Sequence, residues 1–293
     1  MTEEKLHMLL PKGRLQDKVL KLLERVGLHF SFSSRSYRPV CSDPEVTAKI
    51  LKPQNIASLV ALGRHDVGFV GRDWIVELGL DGEDSGLVEI MDLGFNPVRI
   101  VAAVPDSLLK DGKIQVETPM VVASEYEKLT KQFLIENGYD AVFIKAYGAT
   151  EALPPEDADM IVDNTSTGAT LVQNRLTIVD ELMRSTTRLV ANRRALENPL
   201  KKAKLDKLVM LIKSSLEADR RVLLEMNVSK KDLDAVVAEL PSMKAPTISQ
   251  LMGDQGVAVK TAVLSKDAPA LIPRLIELGA RDILEYRLEK IVH

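Results

Sequence analysis

The stretch from Asp157 to Leu176 combines residue types that could bind a phosphorylated sugar. A short apolar run ends at Asp163, and the loop that follows before a predicted helix is made of Thr165, Ser166, Thr167, Gly168, Ala169 and Thr170. The backbone N–H groups of such a loop, with the positive end of a helix behind it, can surround an anion. The carboxylate of Asp163 could accept hydrogen bonds from a vicinal diol. A phosphate and a diol held side by side describe a ribose 5-phosphate.

The same pattern has a plainer interpretation. It could be an ordinary strand–turn–helix junction in which Thr and Ser side chains cap the helix. The pattern by itself does not decide between the two interpretations.

A second anion-binding arrangement lies near the N-terminus. The apolar strand Leu6–Leu10 runs into Pro11-Lys12-Gly13-Arg14, and apolar residues at helical spacing follow. A strand, a basic glycine turn and a helix suit a phosphate, because Lys12 and Arg14 add positive charge to the helix end. A charged turn of this kind can equally be an ordinary solvated one.

A third candidate follows the predicted buried strand Val67–Gly71, where Arg72 and Asp73 precede a helix through Trp74. Small residues at a strand end indicate the close approach of a ligand or of another backbone, and both remain open.

The elements around these motifs predict the fold class. Strands alternate with helices over residues 1–215, which indicates a parallel α/β architecture whose ligands bind at the carboxyl ends of the strands. All three candidate motifs lie at such ends. The charged segment Glu217–Arg221 is interpreted as a linker to a separate unit. Over residues 219–293 the predicted order is β-α-β-β-α-β, the ferredoxin-like plan.

Composition narrows the function classes. The net charge of −3 gives no reason to expect nucleic-acid binding, which needs a basic patch. A single cysteine, Cys41, excludes an intramolecular disulfide, and the four histidines lack metal-ligand spacing. The chain shows neither a signal-peptide pattern nor an apolar stretch of ~20 residues. We therefore expect a soluble, cytoplasmic protein that binds neither nucleic acid nor a membrane.

Several segments, taken in order, resemble one known family. They are Leu10-Pro11-Lys12-Gly13-Arg14-Leu15, Asp66–Asp73, Ser124-Glu125-Tyr126 with Leu129-Thr130, Gly148-Ala149-Thr150-Glu151, Ala158–Asp163 and Thr167-Gly168-Ala169-Thr170-Leu171 to Asn174, with Ala245-Pro246-Thr247-Ile248 and Gly279-Ala280 near the end. On these residues the chain resembles the long form of ATP phosphoribosyltransferase, the first enzyme of histidine biosynthesis.

The resemblance implies an activity and its partners. The family joins N1 of ATP to the anomeric carbon of phosphoribosyl pyrophosphate and releases pyrophosphate, with magnesium. Histidine would act as the feedback inhibitor, in a homo-oligomer that exchanges between dimers and hexamers.

The resemblance also implies a domain plan. Lobe I is expected over residues 1–98 and 179–216, and lobe II with the phosphoribosyl pyrophosphate loop over 99–178. The two lobes would resemble periplasmic binding proteins, with the active site between them. Residues 217–293 would form a ferredoxin-like (ACT-like) regulatory domain that binds histidine.

The resemblance also implies site residues, at the positions that match the family motifs. The catalytic set is Asp163, Glu151, Lys12 and Arg14, and the substrate-binding set is Gly13, Arg35, Lys52, Gly71, Asp73, Glu125, Thr165, Ser166, Thr167, Gly168, Ala169 and Thr170. The loop would bind the 5-phosphate and Asp163 the ribose hydroxyls. The basic residues would hold the pyrophosphate and the triphosphate, with magnesium carried mostly by the diphosphate oxygens. Glu151 would approach the ribose or the metal.

The predicted effector-binding residues are Asn227, Thr247 and Ala280. Two positions depart from the family pattern. Lys52 stands where the family more often has arginine, which bears on substrate contacts. Asn227 stands where an acid can occur, which bears on effector affinity.

Three alternatives remain open. The chain could be a solute-binding protein with the same two-lobed fold, although it has no recognisable signal peptide and carries an additional C-terminal module. It could be a nucleobase phosphoribosyltransferase, although those usually have two adjacent acids where this chain has Asp163-Asn164. It could also be a regulatory relative without activity.

Overall fold

The computed structural model describes residues 4–33, 36–116, 118–241 and 245–293. Its helices and strands follow in the order β1 (Leu6–Pro11), α1 (Gln16–Arg25), β2 (Phe30–Ser31), β3 (Val40–Cys41), β4 (Val46–Leu51), α2 (Pro53–Ala61), β5 (Val67–Gly71), α3 (Arg72–Glu77), β6 (Leu87–Asp92), β7 (Val98–Pro105), β8 (Leu109–Lys110), β9 (Lys113–Ile114), β10 (Met120–Ser124), α4 (Glu127–Glu136), β11 (Ala141–Lys145), β12 (Met160–Thr165), α5 (Ala169–Gln173), β13 (Leu176–Ser185), β14 (Thr187–Asn192), α6 (Arg193–Glu197), α7 (Pro199–Asp219), β15 (Arg221–Val228), α8 (Leu233–Glu239), β16 (Thr247–Gln250), β17 (Val257–Leu264), α9 (Ala268–Glu277) and β18 (Arg281–Arg287).

The chain divides into two compact units. The first comprises residues 1–21 and 28–204, and the second residues 22–27 and 205–293. The predicted α/β class, a two-lobed part followed by a ferredoxin-like domain, is confirmed.

The first lobe is built on a five-stranded sheet of order β4-β1-β5-β14-β6, in which β1 is parallel to both β4 and β5. Both β1 and β5 are almost wholly buried, which suits the apolar runs of parallel strands. Because β4, β1 and β5 run in the same direction, their carboxyl ends share one edge of the sheet. Lys52, the turn Lys12–Arg14 and α3 all follow at that edge.

The second lobe has a sheet of order β11-β10-β12-β7-β13, with β10 parallel to β11 and β12. Glu125 follows β10, and the Thr165–Thr170 loop follows β12, so both lie at the carboxyl edge. The chain enters this sheet at β7. It leaves only after Ser185, which pairs with Val98, because β13 runs antiparallel along the whole of β7. The predicted return at residue 179 therefore falls inside β13.

The second unit contains a four-stranded antiparallel sheet of order β16-β17-β15-β18, which is the predicted ferredoxin-like arrangement. Alternate residues of β15 are buried with α8 and α9 in one apolar core. The predicted linker at Glu217–Arg221 is absent. Helix α7 continues to Asp219, and Arg221 pairs with Glu217 at 2.7 Å as β15 begins.

Among the residues that the structure describes, no helix is both long enough and apolar enough to cross a membrane.

Candidate active site

The loop after β12 is ordered by its own hydroxyl groups. The buried Thr165 accepts a hydrogen bond at its Oγ1 from the N–H of Gly168 (2.9 Å), and Thr167 accepts one from Ala169 (3.3 Å). Gly168 has φ = +85°, a conformation that glycine adopts without the clash a Cβ would make. The sequence therefore folds this segment into a tight cradle whose two threonines shape it from inside.

The cradle leaves backbone donors unused. The N–H groups of Ser166, Thr167 and Thr170 have no acceptor within the described parts of the chain, and all three residues are exposed. The helix behind them, α5, has five residues. Its summed dipole is therefore small. An anion at this loop would be held by individual N–H and hydroxyl groups, whereas the sequence had also indicated a contribution from the helix end.

Asp163 is a half-buried acid at the start of this loop. Burial, together with the neighbouring carboxylates of Glu151 and Glu125, raises the pKa of its carboxyl from 3.8 to about 6, against the opposing effect of hydrogen bonds from Asn164 and Thr150. The Oδ1 atom accepts the Asn164 N–H at 2.6 Å. The Asp163 carboxyl thus has a pKa close to neutral pH, and such raised pKa values are common at functional sites.

Three carboxylates, those of Glu125, Glu151 and Asp163, influence one another here. Even so, no group of three His, Cys, Asp or Glu side chains among the described residues could hold a metal ion. The described residues therefore offer no such set of three ligands to a magnesium ion.

The basic turn of the first lobe reaches the loop of the second. Arg14 donates from Nη1 to Oδ1 of Asn164 at 3.3 Å. The backbone carbonyl oxygen of Arg14 accepts from Nδ2 of Asn96 at 2.7 Å. Gly13 is exposed with φ = +86°, and the ammonium of Lys12 lies 5.3 Å from the centre of the Tyr37 ring. The two strongest sequence motifs, 150 residues apart, therefore meet between the lobes.

A cleft of about 130 Å³ marks this meeting point. Of the predicted site residues it is lined by Lys12, Arg14, Gly71, Asp73 and Glu125. It is also lined by residues outside the predicted site sets, among them Gln54, Trp74, Asn96, Tyr126, Asn164 and Ser185. Asp163, Glu151, Lys52, Gly13 and the loop Thr165–Thr170 lie outside this lining. Tyr126 belongs to one of the family segments, and Asn96 precedes a proline and has a φ of +48°, which is uncommon outside glycine.

Asp73 is predicted to contact substrate, but its carboxylate is already engaged. It is 5% exposed; Oδ1 accepts from the Ser185 hydroxyl and Oδ2 from the Tyr126 hydroxyl at 2.8 Å. Burial, and then Asp73 itself, raise the pKa of the Tyr126 phenol well above 10, so the phenol keeps the proton that it donates. A Cβ on Gly71 would collide with Oδ1 of Asp73. Gly71 and Asp73 thus act together at the cleft wall.

Two further basic positions stand apart. Lys52 is an exposed residue whose backbone caps α2, and its side chain makes no cap hydrogen bond. Arg35 lies outside the described residues.

The three predicted effector residues do not come together in one chain. Asn227 donates to Asp282 at 2.9 Å, and Ala280, just before β18, is fully buried in the core. Thr247 lies on β16 at the opposite edge of the sheet, three strand spacings or about 14 Å away. The strand order places the ends of the segment on opposite edges of the sheet, and the assignment of these three residues to the effector site stays a prediction.

Comparison with known proteins gives concordant matches. A family model described as ATP phosphoribosyltransferase matches residues 52–214, and one described as HisG, C-terminal domain, matches residues 218–290. The ATP phosphoribosyltransferase of Prosthecochloris aestuarii is 40% identical over 291 residues, which cover 97% of this chain and 96% of the relative. That of Pelotomaculum thermopropionicum is 39% identical over 294 residues, covering 98% and 99%. A solved ATP phosphoribosyl transferase (HisG:HisZ) complex from Thermotoga maritima superposes with a TM-score of 0.59 at 26% identity, over 71% of this chain and 98% of that one.

Proposed function

The chain belongs to the ATP phosphoribosyltransferase family and is a transferase, and from that membership we propose the reaction that its cleft performs. It joins N1 of ATP to the anomeric carbon of phosphoribosyl pyrophosphate, which gives N1-(5-phosphoribosyl)-ATP and pyrophosphate. The observation that carries the proposal is the hydrogen bond between Arg14 and Asn164, which joins the basic turn of one lobe to the end of β12 in the other, directly before the phosphate-type loop.

The loop receives the sugar phosphate. Its unused N–H groups at Ser166, Thr167 and Thr170, with their exposed hydroxyls, offer several donors to one phosphate. Asp163, at the loop's entrance, accepts hydrogen bonds from the ribose 2- and 3-hydroxyls. These two contacts fix the ring and leave the anomeric carbon facing the cleft.

The basic turn receives the leaving diphosphate. Lys12 and Arg14 face the cleft from the first lobe, and Arg pairs with phosphate oxygens through two parallel hydrogen bonds. Magnesium would be bound mainly by the diphosphate oxygens and would supply further positive charge there, since it commonly binds substrate phosphates with few protein ligands. Lys12 and Arg14 stabilise the charge that builds up on the leaving group.

The ribose becomes electron-deficient as pyrophosphate departs. The carboxylates of Asp163, Glu125 and Glu151 lie on the ribose side and stabilise that positive charge. N1 of adenine carries a free lone pair, so the attack needs no general base. The protein's main contribution is to hold the two reactants in line.

The second unit is proposed to bind histidine and to reduce activity when it does. Support comes from the match of residues 218–290 to the family's C-terminal domain model. Homo-oligomers of two and six chains are proposed from family membership.

The test is direct product analysis. The protein is mixed with ATP, phosphoribosyl pyrophosphate and magnesium, the near-ultraviolet absorbance that N1-substituted adenine gains over ATP is followed, and the product is identified by mass. We expect product only when both substrates are present, and less of it with histidine. Binding of both substrates without product would reject the transferase and favour a binding protein. A rate indifferent to histidine would retain the reaction and reject the sensor.

A further inference from the structure

Helix α3 belongs to the first lobe, but its two carboxylates make their hydrogen bonds with the second. It carries two carboxylates one turn apart, Asp73 and Glu77, which are 5% and 8% exposed. Buried carboxylates persist only where hydrogen bonds satisfy them. Glu77 has both of its partners on the segment that follows β10, and Asp73 has one there, Tyr126, and another at Ser185.

Glu77 caps a helix of the other lobe. Its Oε1 accepts from the N–H of Lys128 at 3.1 Å and its Oε2 from the N–H of Leu129 at 3.0 Å. These are the second and third residues of α4, whose own cap residue, Tyr126, supplies no side-chain acceptor. A carboxylate at this position satisfies two otherwise free donors and complements the positive helix end.

Asp73 and Trp74 hold the residue just before α4. The Tyr126 hydroxyl donates to Asp73 at 2.8 Å, and the rings of Trp74 and Tyr126 stack with their centres 4.8 Å apart. Tyr126 is 1% exposed. The segment that follows Glu125 is therefore held by α3 at three residues, through the side chain of Tyr126 and the backbone N–H groups of Lys128 and Leu129.

We call the contacts of Asp73, Trp74 and Glu77 with Tyr126, Lys128 and Leu129 the clamp. The residue that the clamp positions is Glu125. It lines the cleft, and its charge acts on the Asp163 carboxyl. Glu125 directly precedes Tyr126 in the chain. A displacement of the start of α4 would therefore move Glu125 relative to Asp163.

We propose that Glu77, supported by Asp73, is a positioning residue for phosphoribosyl transfer: it caps α4 across the lobe boundary and thereby holds Glu125 beside Asp163. This inference rests on the proposed function. Neither Glu77 nor Asp73 need touch a substrate, since both act through Glu125.

The test begins with Glu77→Gln. The amide offers one oxygen, so one helix N–H loses its acceptor and faces an NH2 donor instead. We expect kcat/KM for phosphoribosyl pyrophosphate to fall about tenfold, since small misplacements near the reacting centre are costly. The matched control is Glu127→Gln in the same first turn of α4; the Glu127 side chain is 46% exposed and pairs with Lys131 at 2.7 Å. The control should stay within about twofold of the parent.

A double-mutant cycle distinguishes positioning from a merely structural role. If Glu77 acts through Glu125, then Glu77→Gln should cost less than about threefold in a Glu125→Gln background. Equal losses in both backgrounds, or no loss in the parent, would overturn the inference. Thermal unfolding is measured alongside, and a structural role alone would lower Tm in both backgrounds without this coupling.

Tyr126→Phe gives the same test if Glu77→Gln does not fold. It removes only the hydroxyl that Asp73 accepts and keeps the ring on Trp74. A smaller loss that disappears in the Glu125→Gln background supports the clamp, and an additive loss rejects it. Failure of the proposed function is separate, because it would appear as a parent protein that forms no product.

Discussion

Two opposing influences act on the pKa of the Asp163 carboxyl, and its protonation state controls the proposed reaction. Burial and the neighbouring Glu151 and Glu125 favour the neutral acid, whereas the Asn164 N–H favours the carboxylate. Only the ionised form can both accept two ribose hydroxyls and stabilise a cationic ring. The acid therefore has to lose its proton before it functions.

The pH dependence of the rate follows from this. Since kcat/KM reports the free protein, kcat/KM for phosphoribosyl pyrophosphate should fall as pH drops through about 6. The expected slope is about tenfold per pH unit below that value. Steady-state kinetics between pH 5 and 8 measure this dependence. Asp163→Asn is the control, and it should lose both activity and the decrease of kcat/KM at low pH. A rate that stays flat down to pH 5 would remove the role.

Asp163 should also reduce stability. Its pKa is about 6 in the folded chain and 3.8 ordinarily, so between these values the folded state binds more protons and stability falls as pH rises. Asp163→Asn removes that penalty and should raise the free energy of unfolding by about 1–3 kcal/mol at pH 8. Near pH 4 the gain should disappear. Urea unfolding at both values tests this, and a variant that is less stable at pH 8 would contradict it.

At the residue scale, sequence reasoning found the groups at strand ends but not their partners. The loop threonines, Lys12 and Arg14 could be predicted because their types and local spacing carry the signal. Gln54, Trp74 and Tyr126 could not, because what places them at the cleft is packing between distant segments. Asp73 was found, but its hydrogen bonds to Ser185, 112 residues away, were not.

At the element scale, α3 is the helix that couples the two lobes. Gly71 ends the strand before it and leaves no room for a Cβ beside Asp73. The atom that approaches Gly71 is a side-chain carboxylate oxygen, whereas the glycine pattern had left open a ligand or another backbone.

Gly71→Ala should therefore disturb α3 from its first turn. The added methyl displaces the Asp73 carboxylate from Ser185 and Tyr126, and we expect a loss of about 1–3 kcal/mol in stability together with reduced activity. Gly82→Ala is the matched control, because its Cβ would meet nothing within 4 Å and its φ is not positive. Chemical unfolding and initial rates measure both variants. Equal behaviour of the two would contradict this account of α3.

The elements themselves were largely predictable, and their edges were not. Hydrophobic periodicity located the alternating strands and helices, since burial dictates it. The end of β13 and the continuation of α7 to Asp219 depend on pairing with β7 and on the ion pair between Arg221 and Glu217. Neither is visible in local composition.

At the scale of the whole molecule, the second unit carries the proposed regulation. Asn227 pairs with Asp282 at the corner where Gly279 and Ala280 lead into β18, and Thr247 lies on the far edge. The ferredoxin-like order was predictable from the sequence of elements, but the separation of these residues follows from strand order alone.

Asn227→Ala tests the regulatory proposal. Without the amide, the concentration of histidine that halves the rate should rise about tenfold, the loss of roughly one good polar contact. The rate without histidine should be unchanged, because the catalytic residues all belong to the first unit. Inhibition curves for the parent and the variant measure both quantities. Unaltered inhibition would exclude Asn227 from the effector site.

We infer that the loop of one lobe and the basic turn of the other hold a single substrate between them. A structure of the chain with phosphoribosyl pyrophosphate bound would show whether they do. We predict the 5-phosphate within hydrogen-bond distance of the N–H groups of Ser166, Thr167 and Thr170, the ribose hydroxyls on Asp163, and the diphosphate facing Lys12 and Arg14. A 5-phosphate seated on the basic turn, or anywhere away from the loop, would contradict the account.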